Sequence, residues 1–252
     1  MSMPNSVCPS VCTGPEGPTT LPAMPAFDIP NIAANTPLWL ALVTTFVAAV
    51  SGAILGRQPG RVSYDIVGVT VFAFVLGLGG GITRDLLLGN LPPLALRSPW
   101  YVVTVLGAVV TVLIVGRWIR VGSWTFILLD ALALGLYAVI AAQLAVEFGL
   151  PDIGAITVGA LAAVTGGVLV SLMRGETPEI LLPSQPYALL AVIGATVYVV
   201  LDQFNGGIAA LTCLLSVITL RFVTLRWNLR TRSVRPLPAG GTAPATDDSA
   251  RD

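Results

Sequence analysis

Seven apolar runs dominate this sequence, each close to the ~20 residues that an α-helix needs to cross the hydrocarbon core of a bilayer. They cover residues 37–56, 66–89, 99–116, 124–144, 153–174, 186–204 and 206–226. Only 10% of all residues are charged, whereas soluble domains typically carry about 25% charged residues. We therefore predict an all-α integral membrane protein with seven transmembrane helices.

The arginines between these runs indicate how the helices cross the membrane. In a seven-span arrangement most of them fall on one side, namely Arg57, Arg61, Arg117, Arg120, Arg174, Arg226, Arg230, Arg232 and Arg235, and Arg97 falls on the other. The positive-inside rule then predicts a multi-pass protein of the cell membrane with its N-terminus outside and its C-terminus in the cytoplasm. The polar ends, 1–36 and 227–252, are predicted to be disordered tails.

A pattern of glycine, proline and tyrosine occurs twice, at a fixed separation of 86 residues. Gly80, Gly81, Gly89, Pro92 and Tyr101 correspond in this way to Gly166, Gly167, Gly175, Pro178 and Tyr187. Each copy holds three spans, and an odd number of spans inverts the second copy relative to the first. The sequence thus predicts a first three-helix repeat at 37–118, a second, inverted three-helix repeat at 119–205, and a seventh helix at 206–226.

The segment around Gly79, Gly80 and Gly81 is poorly suited to a continuous membrane helix. Each glycine costs a helix roughly 1 kcal/mol relative to alanine. Arg84 and Asp85 follow at once, and a charge at the centre of a membrane helix costs at least ~2.5–3.5 kcal/mol. Such segments occur where a helix is interrupted beside a polar path through the membrane. We therefore expect the second and fifth helices to be broken at their glycines.

These motifs resemble those of the TRIC (trimeric intracellular cation channel) family and of its bacterial glycine-transporter-like relatives. The resemblance covers about residues 38–226 and is carried by 79–92 with Tyr101, and more weakly by 166–178 with Tyr187. It implies a protomer of two inverted three-helix repeats plus a seventh helix, and a homotrimer with one pore in each protomer. It also implies potassium permeation or, for some bacterial members, glycine uptake.

The second copy departs from the family pattern. Val170 and Ser171 stand where family members usually have a second Arg-Asp-like pair, and Thr165 replaces the first glycine of the second motif. A mechanism that needs a symmetric pair of charged gates is therefore in question for this chain.

The glycines Gly79, Gly80, Gly81, Gly166 and Gly167 are the first candidates for a functional site. Their backbone carbonyls could face a cavity and coordinate a dehydrated cation. Alternatively, these small residues could allow helices to pack closely.

The charged candidates are Asp85 as an ion contact and Arg84 as a gate. Neighbouring residues of a helix point about 100° apart, so we expect Arg84 and Asp85 to meet different partners, for example Asp130. A structural ion-pair network is the alternative. Asp130 itself could be an acid favoured by the dipole at a helix N-terminus, or part of an acidic vestibule that attracts cations.

Hydroxyl groups and the C-terminal arginines complete the candidate set. Thr83, Thr165 and Ser171 could line a wet path, or could bond back to their own helices. Arg226, Arg230 and Arg232 are expected to fix the topology, and could also bind anionic lipid at ~1 kcal/mol per basic residue.

Two functions remain open. The leading prediction is a passive potassium-selective pore in each protomer of a homotrimer, and the alternative is a transporter of glycine or a similar small amino acid by alternating access. An enzyme is not expected, because the chain has no histidine and shows no nucleophile–base set or phosphate-cradling motif. No cofactor and no metal site are expected, and because the formal net charge is zero, no nucleic-acid partner is expected.

Overall fold

The computed structural model of the protein describes residues 37–58, 63–115, 123–181 and 187–227. These residues form eight α-helices: α1 (Leu38–Gly56), α2 (Ile66–Leu87), α3 (Leu94–Arg97), α4 (Pro99–Val115), α5 (Trp124–Glu147), α6 (Asp152–Met173), α7 (Tyr187–Asp202) and α8 (Gly206–Arg226). Apart from the four-residue α3, the helices begin and end within about three residues of the seven predicted runs. The predicted tails lie outside the described residues, apart from Trp227.

Five helices are long and apolar enough to cross a membrane, namely α1, α2, α5, α6 and α8, with a mean hydropathy of 2.1 to 2.2. The helices α4 and α7 are apolar but shorter, with 17 and 16 residues. Val103, Leu106 and Val110 lie three and four residues apart on α4 and are exposed, as expected for a face that contacts lipid. The chain is thus a multi-pass helical membrane protein.

Local signals in the sequence explain where several helices begin. The side chain of Asp65 accepts a hydrogen bond from the N–H of Gly68 at 2.8 Å and caps α2. Ser123 caps α5 through the N–H of Phe126 in the same way. In α2 and α5, a polar side chain before the apolar run therefore satisfies an N–H group that the helix leaves unpaired.

Glycines of the repeated pattern end α2 and α6. Gly89 and Gly175 both have φ of +68°, a conformation that side chains rarely adopt. After Gly89, the N–H of Asn90 bonds to the carbonyl of Asp85 at 2.8 Å. After Gly175, Glu176 makes the same bond to Ser171 at 2.9 Å. The repeated glycine is therefore a helix terminator in both halves.

The second and fifth predicted runs correspond to α2 and α6. The prediction that these two helices are broken at their glycines is wrong, because both are continuous α-helices through the glycines. A Cβ atom on Gly80 would lie 2.6 Å from the carbonyl oxygen of Ala162, and one on Gly79 would lie 3.4 Å from the Cα of Gly166. Here the glycines allow α2 and α6 to approach closely. This packing offsets the low helix propensity that suggested a break.

Buried apolar residues form two clusters that position the two halves of the molecule. One is built mainly from α5, α6, α7 and α8, and includes Ala138, Ala162 and Val217. The other is built from α1, α2 and α4, and includes Ala53 and Val105. The close contact of α2 with α6 joins the two clusters, and the polar residues of interest lie on either side of it.

Candidate functional site

Arg84 and Asp85 form a buried ion pair near the end of α2. Both N–H groups of Arg84 at Nε and Nη2 donate to Oδ1 of Asp85, at 2.8 and 2.7 Å. The other carboxylate oxygen, Oδ2, accepts from the N–H of Leu94 at 2.7 Å. The expectation that the two residues meet different partners is wrong, because the long arginine side chain bends back onto its neighbour. Asp85 is fully buried, and these bonds compensate its charge.

A cavity next to this pair, here called the Arg84 cavity, has a volume of about 20 Å³, enough for about one water molecule. Its polar lining consists of Thr44, Thr45, Arg84, Asp85, Tyr101 and Tyr137. Gly81 also lines it, and a Cβ atom at Gly81 would have no neighbour within 4 Å. Gly81 thus faces open space, in contrast to the packed Gly79 and Gly80.

Tyr137 of α5 closes this cavity towards the middle of the molecule. Its hydroxyl donates a hydrogen bond to the backbone carbonyl of Gly77. Its ring carbons would lie 3.0 and 3.1 Å from a Cβ atom on Gly80. A second space of about 20 Å³, the central cavity, shares Tyr137 with the Arg84 cavity and is also lined by Asp130, Gly167 and Tyr187. Tyr137 therefore separates two small cavities.

A third and larger space, the Arg221 cavity, has a volume of about 210 Å³. It shares Asp130, Gly167 and Tyr187 with the central cavity. Its polar lining consists of Gln58, Asp130, Ser171, Arg174, Glu176, Thr177, Tyr187 and Arg221. The three cavities thus follow one another, each sharing lining residues with the next.

A second ion pair lies in the Arg221 cavity. Nη2 of Arg221 is 3.3 Å from Oδ2 of Asp130, and the hydroxyl of Tyr187 donates to the other oxygen of Asp130 at 3.3 Å. The guanidinium of Arg221 also lies 4.9 Å from the centre of the Tyr187 ring, within reach of a cation–π interaction. Asp130 is therefore a cavity residue in the second turn of α5 and does not cap that helix.

Arg174 fastens the end of α6 to the end of α1. Its Nη1 donates to the carbonyl of Leu55 at 2.5 Å, and its Nη2 lies 2.9 Å from Oε1 of Glu176. A cation near the last carbonyls of a helix is favourable because of the helix dipole. Arg174 consequently fixes one wall of the Arg221 cavity.

The structure brings together eight of the predicted site residues at these three cavities: Gly80, Gly81, Arg84, Asp85, Asp130, Gly166, Gly167 and Ser171. Thr83 and Thr165 instead donate to carbonyls of their own helices, at 2.8 and 2.6 Å. Gly79, Gly80 and Gly166 serve helix packing, although Gly80 and Gly166 also border the central cavity. Arg226 is exposed at the end of α8, and Arg230 and Arg232 lie outside the described residues.

Tyr137 and Arg221 are among the site residues that were not predicted from the sequence. Each is a polar side chain inside a long apolar run, which is costly in a membrane and therefore points to a role. This signal was available at both positions. Neither Tyr137 nor Arg221 belongs to the repeated pattern, and the prediction of site residues followed that pattern.

Comparisons with known proteins agree with this architecture. A family model described as "Glycine transporter" matches residues 38–117 and 127–203. A "UPF0126 membrane protein" of Deinococcus radiodurans is 35% identical over 202 residues, which cover 79% of this chain and 92% of that protein. The "UPF0126 inner membrane protein YadS" of Escherichia coli is 29% identical over 196 residues, 76% of this chain and 93% of YadS.

Solved structures with the same fold are also known. The TRIC trimeric intracellular cation channel orthologue from Rhodobacter sphaeroides is similar with a TM-score of 0.69 and 31% identity, over 76% of this chain and 98% of that one. A prokaryotic TRIC channel in 0.5 M KCl gives a TM-score of 0.69 and 25% identity, over 76% and 96% of the two chains. Fold and cavities thus define a helical membrane protein with a polar interior. The chain belongs to the TRIC family, together with its glycine-transporter-like relatives.

Proposed function

We propose that this protein is a passive cation channel whose path runs inside the protomer, from the Arg84 cavity past Tyr137 to the Arg221 cavity. The observation that carries the proposal is the series of three cavities with shared lining residues, which has an Arg–Asp ion pair at each end. Solved relatives titled as TRIC cation channels support a channel. Potassium is the proposed ion, by likeness to that family.

If the protein is such a channel, the described conformation is the closed one. The Arg84 cavity and the central cavity each hold only about 20 Å³, which suffices for about one water molecule and not for a hydrated cation. Tyr137, hydrogen-bonded to Gly77, stands between them. Conduction therefore requires Tyr137 to leave Gly77 and α2 to move away from α5 or α6.

Electrical recording of the purified protein in planar lipid bilayers tests the proposed function. We expect discrete single-channel currents whose reversal potential follows the potassium gradient. A preparation that is intact by gel filtration and yet gives no unitary currents at any voltage would refute the channel. Equal permeability to chloride would refute cation selectivity.

A second candidate function is transport of glycine or a similar small amino acid. The specific observation in its favour is that the Arg221 cavity is lined by both signs of charge, Arg174 and Arg221 with Asp130 and Glu176. A zwitterion needs both signs, and a volume of about 210 Å³ is ample for one. Saturable uptake of radiolabelled glycine into proteoliposomes, without unitary currents, would favour this candidate over the channel.

We further propose seven membrane spans in two inverted repeats, with the N-terminus outside, assembled as a homotrimer. The natural cysteines provide a test of orientation, because Cys8 and Cys12 lie in the N-terminal tail whereas Cys213 is fully buried in α8. A membrane-impermeant maleimide added to intact cells should label the wild-type protein. A Cys8→Ser/Cys12→Ser variant should stay unlabelled. Labelling of the wild type only after lysis would reverse the proposed orientation.

A further inference from the structure

The two halves of the molecule do not carry their charge in the same way. At the separation of 86 residues, Tyr101 corresponds to Tyr187. Tyr101 lines the Arg84 cavity, and Tyr187 lines the Arg221 cavity. Arg84, however, corresponds to Val170, which is apolar and buried. The second repeat therefore contributes no arginine of its own at the place where the first repeat has Arg84.

An arginine nevertheless lies beside the second tyrosine. The guanidinium of Arg221 is 4.9 Å from the centre of the Tyr187 ring and 3.3 Å from the carboxylate of Asp130. Arg221 belongs to α8, which follows both repeats in the chain. Its side chain is only 8% exposed, and an arginine buried in a membrane helix is costly unless its charge is compensated. Its position is thus not explained by an interfacial anchoring role.

The packing of α8 directs Arg221 into the cavity. A Cβ atom on Gly194 of α7 would lie 2.5 Å from Cγ2 of Val217, and one on Gly135 of α5 would lie 2.9 Å from Cδ1 of Leu214. The missing side chains at these glycines leave room for α8 to sit close to α5 and α7. Val217 is fully buried, and Arg221, four residues further on, lies on the same face of the helix. The rotation of α8 about its axis is therefore fixed.

We propose that Arg221 is the second charge gate of the conduction path, supplied by α8 in place of an arginine in the second repeat. This inference rests on the proposed channel function. Paired with Asp130, the guanidinium places a positive charge at the inner end of the Arg221 cavity and opposes the entry of cations from that side. When the pair separates, the carboxylate of Asp130 becomes available to an entering cation. Arg221 thus sets the flux in one direction, and Arg84 in the other.

The test compares Arg221→Gln with wild type in bilayers into which the channel inserts in a known orientation. We expect Arg221→Gln to increase the current carried by cations that enter from the Arg221 side, by about tenfold at most, as for the loss of a ~1.4 kcal/mol barrier. The current in the opposite direction should change less, so the variant should rectify. Asp130→Asn should lower the current, because the negative charge 3.3 Å from the Arg221 guanidinium is then removed and the path becomes more positive.

Two further variants make the result specific. Asp152→Asn makes the same change as Asp130→Asn at an exposed residue that lines none of the three cavities, and should keep the wild-type current–voltage curve. The double variant Arg221→Gln/Asp130→Asn should differ from the sum of the single effects, because the two side chains form one ion pair.

The possible failures are distinguishable. If the wild-type protein conducts and Arg221→Gln leaves the current–voltage curve unchanged, the inference is wrong while the channel stands. If the wild type gives no current, the proposed function itself is wrong. Should Arg221→Gln not fold, Asp130→Asn decides alone, and an unchanged curve in that variant would overturn the inference.

Discussion

Both carboxylate oxygens of Asp85 are engaged, one by Arg84 and the other by the N–H of Leu94. The pair therefore compensates a buried charge, and it also connects the segment after α2 to that helix. Removal of one member of a buried ion pair is typically far more costly than removal of both, because the remaining charge is left uncompensated.

The first prediction concerns this pair. Asp85→Asn leaves Arg84 buried without a counter-charge, so we expect the protein to be destabilised by about 3–5 kcal/mol and cation flux to fall sharply. Thermal unfolding in detergent and bilayer recording measure the two effects. Arg84→Gln/Asp85→Asn should recover much of the stability. The exposed Asp152 at the start of α6 provides the matched control, Asp152→Asn, and an equal loss of stability there would contradict the argument.

Much of the site was predictable at the residue scale, because a charge or a glycine pair inside an apolar run is conspicuous. The sequence indicated Arg84, Asp85, Asp130 and Ser171 as candidate site residues, with alternatives for each, and all four line the cavities. It did not identify their partners. Helical geometry alone suggested that Arg84 and Asp85 diverge, since it takes no account of how far an arginine side chain can bend back.

At the scale of helices, the glycines decide how α2, α5 and α6 fit together. Gly80 is enclosed by the carbonyl of Ala162 and the ring of Tyr137, whereas its neighbour Gly81 faces open space. The helix boundaries followed from run length and capping residues. The continuity of α2 could not be predicted in this way. A glycine triplet is compatible with either an unwound backbone or a close helix crossing, and the neighbouring helix decides between them.

This contrast gives the second prediction. Gly80→Ala should destabilise the protein by about 1–3 kcal/mol, because the added methyl group forces α2 away from α6. Gly81→Ala should be neutral or stabilise it by up to ~1 kcal/mol, since alanine is the better helix former and no atom obstructs it. Thermal unfolding of the two variants is the measurement. Equal effects of the two substitutions would show that the close crossing of α2 and α6 does not make a side chain at position 80 costly.

At the scale of the whole molecule, Tyr137 stands where the two packed halves meet. It lines both the Arg84 cavity and the central cavity. Its ring packs beside Gly80 and its hydroxyl bonds to Gly77, so one side chain from the second half rests on a helix of the first. The matched glycines predict two repeats, and this stays a prediction. They do not point to Tyr137, because this tyrosine is not part of the repeated pattern.

The third prediction follows from this position. Tyr137→Phe keeps the ring but removes a hydrogen bond worth about 0.5–1.5 kcal/mol. The free energy of the closed state relative to the open state should therefore rise by up to that amount. Open probability in bilayers should rise several-fold. Tyr64→Phe, in the partly exposed segment before α2, is the control and should leave gating unchanged. A lower open probability in Tyr137→Phe would mean that the hydroxyl assists conduction.

The placement of Arg221 on α8 also has a consequence for biosynthesis. Asp130 and Arg221 are 91 residues apart, so the acid is made and inserted well before the base that neutralises it exists. A chain that stops before α8 lacks the arginine that pairs with Asp130 in the complete protein. Completion of this ion pair by the last helix therefore distinguishes a finished protein from a truncated one.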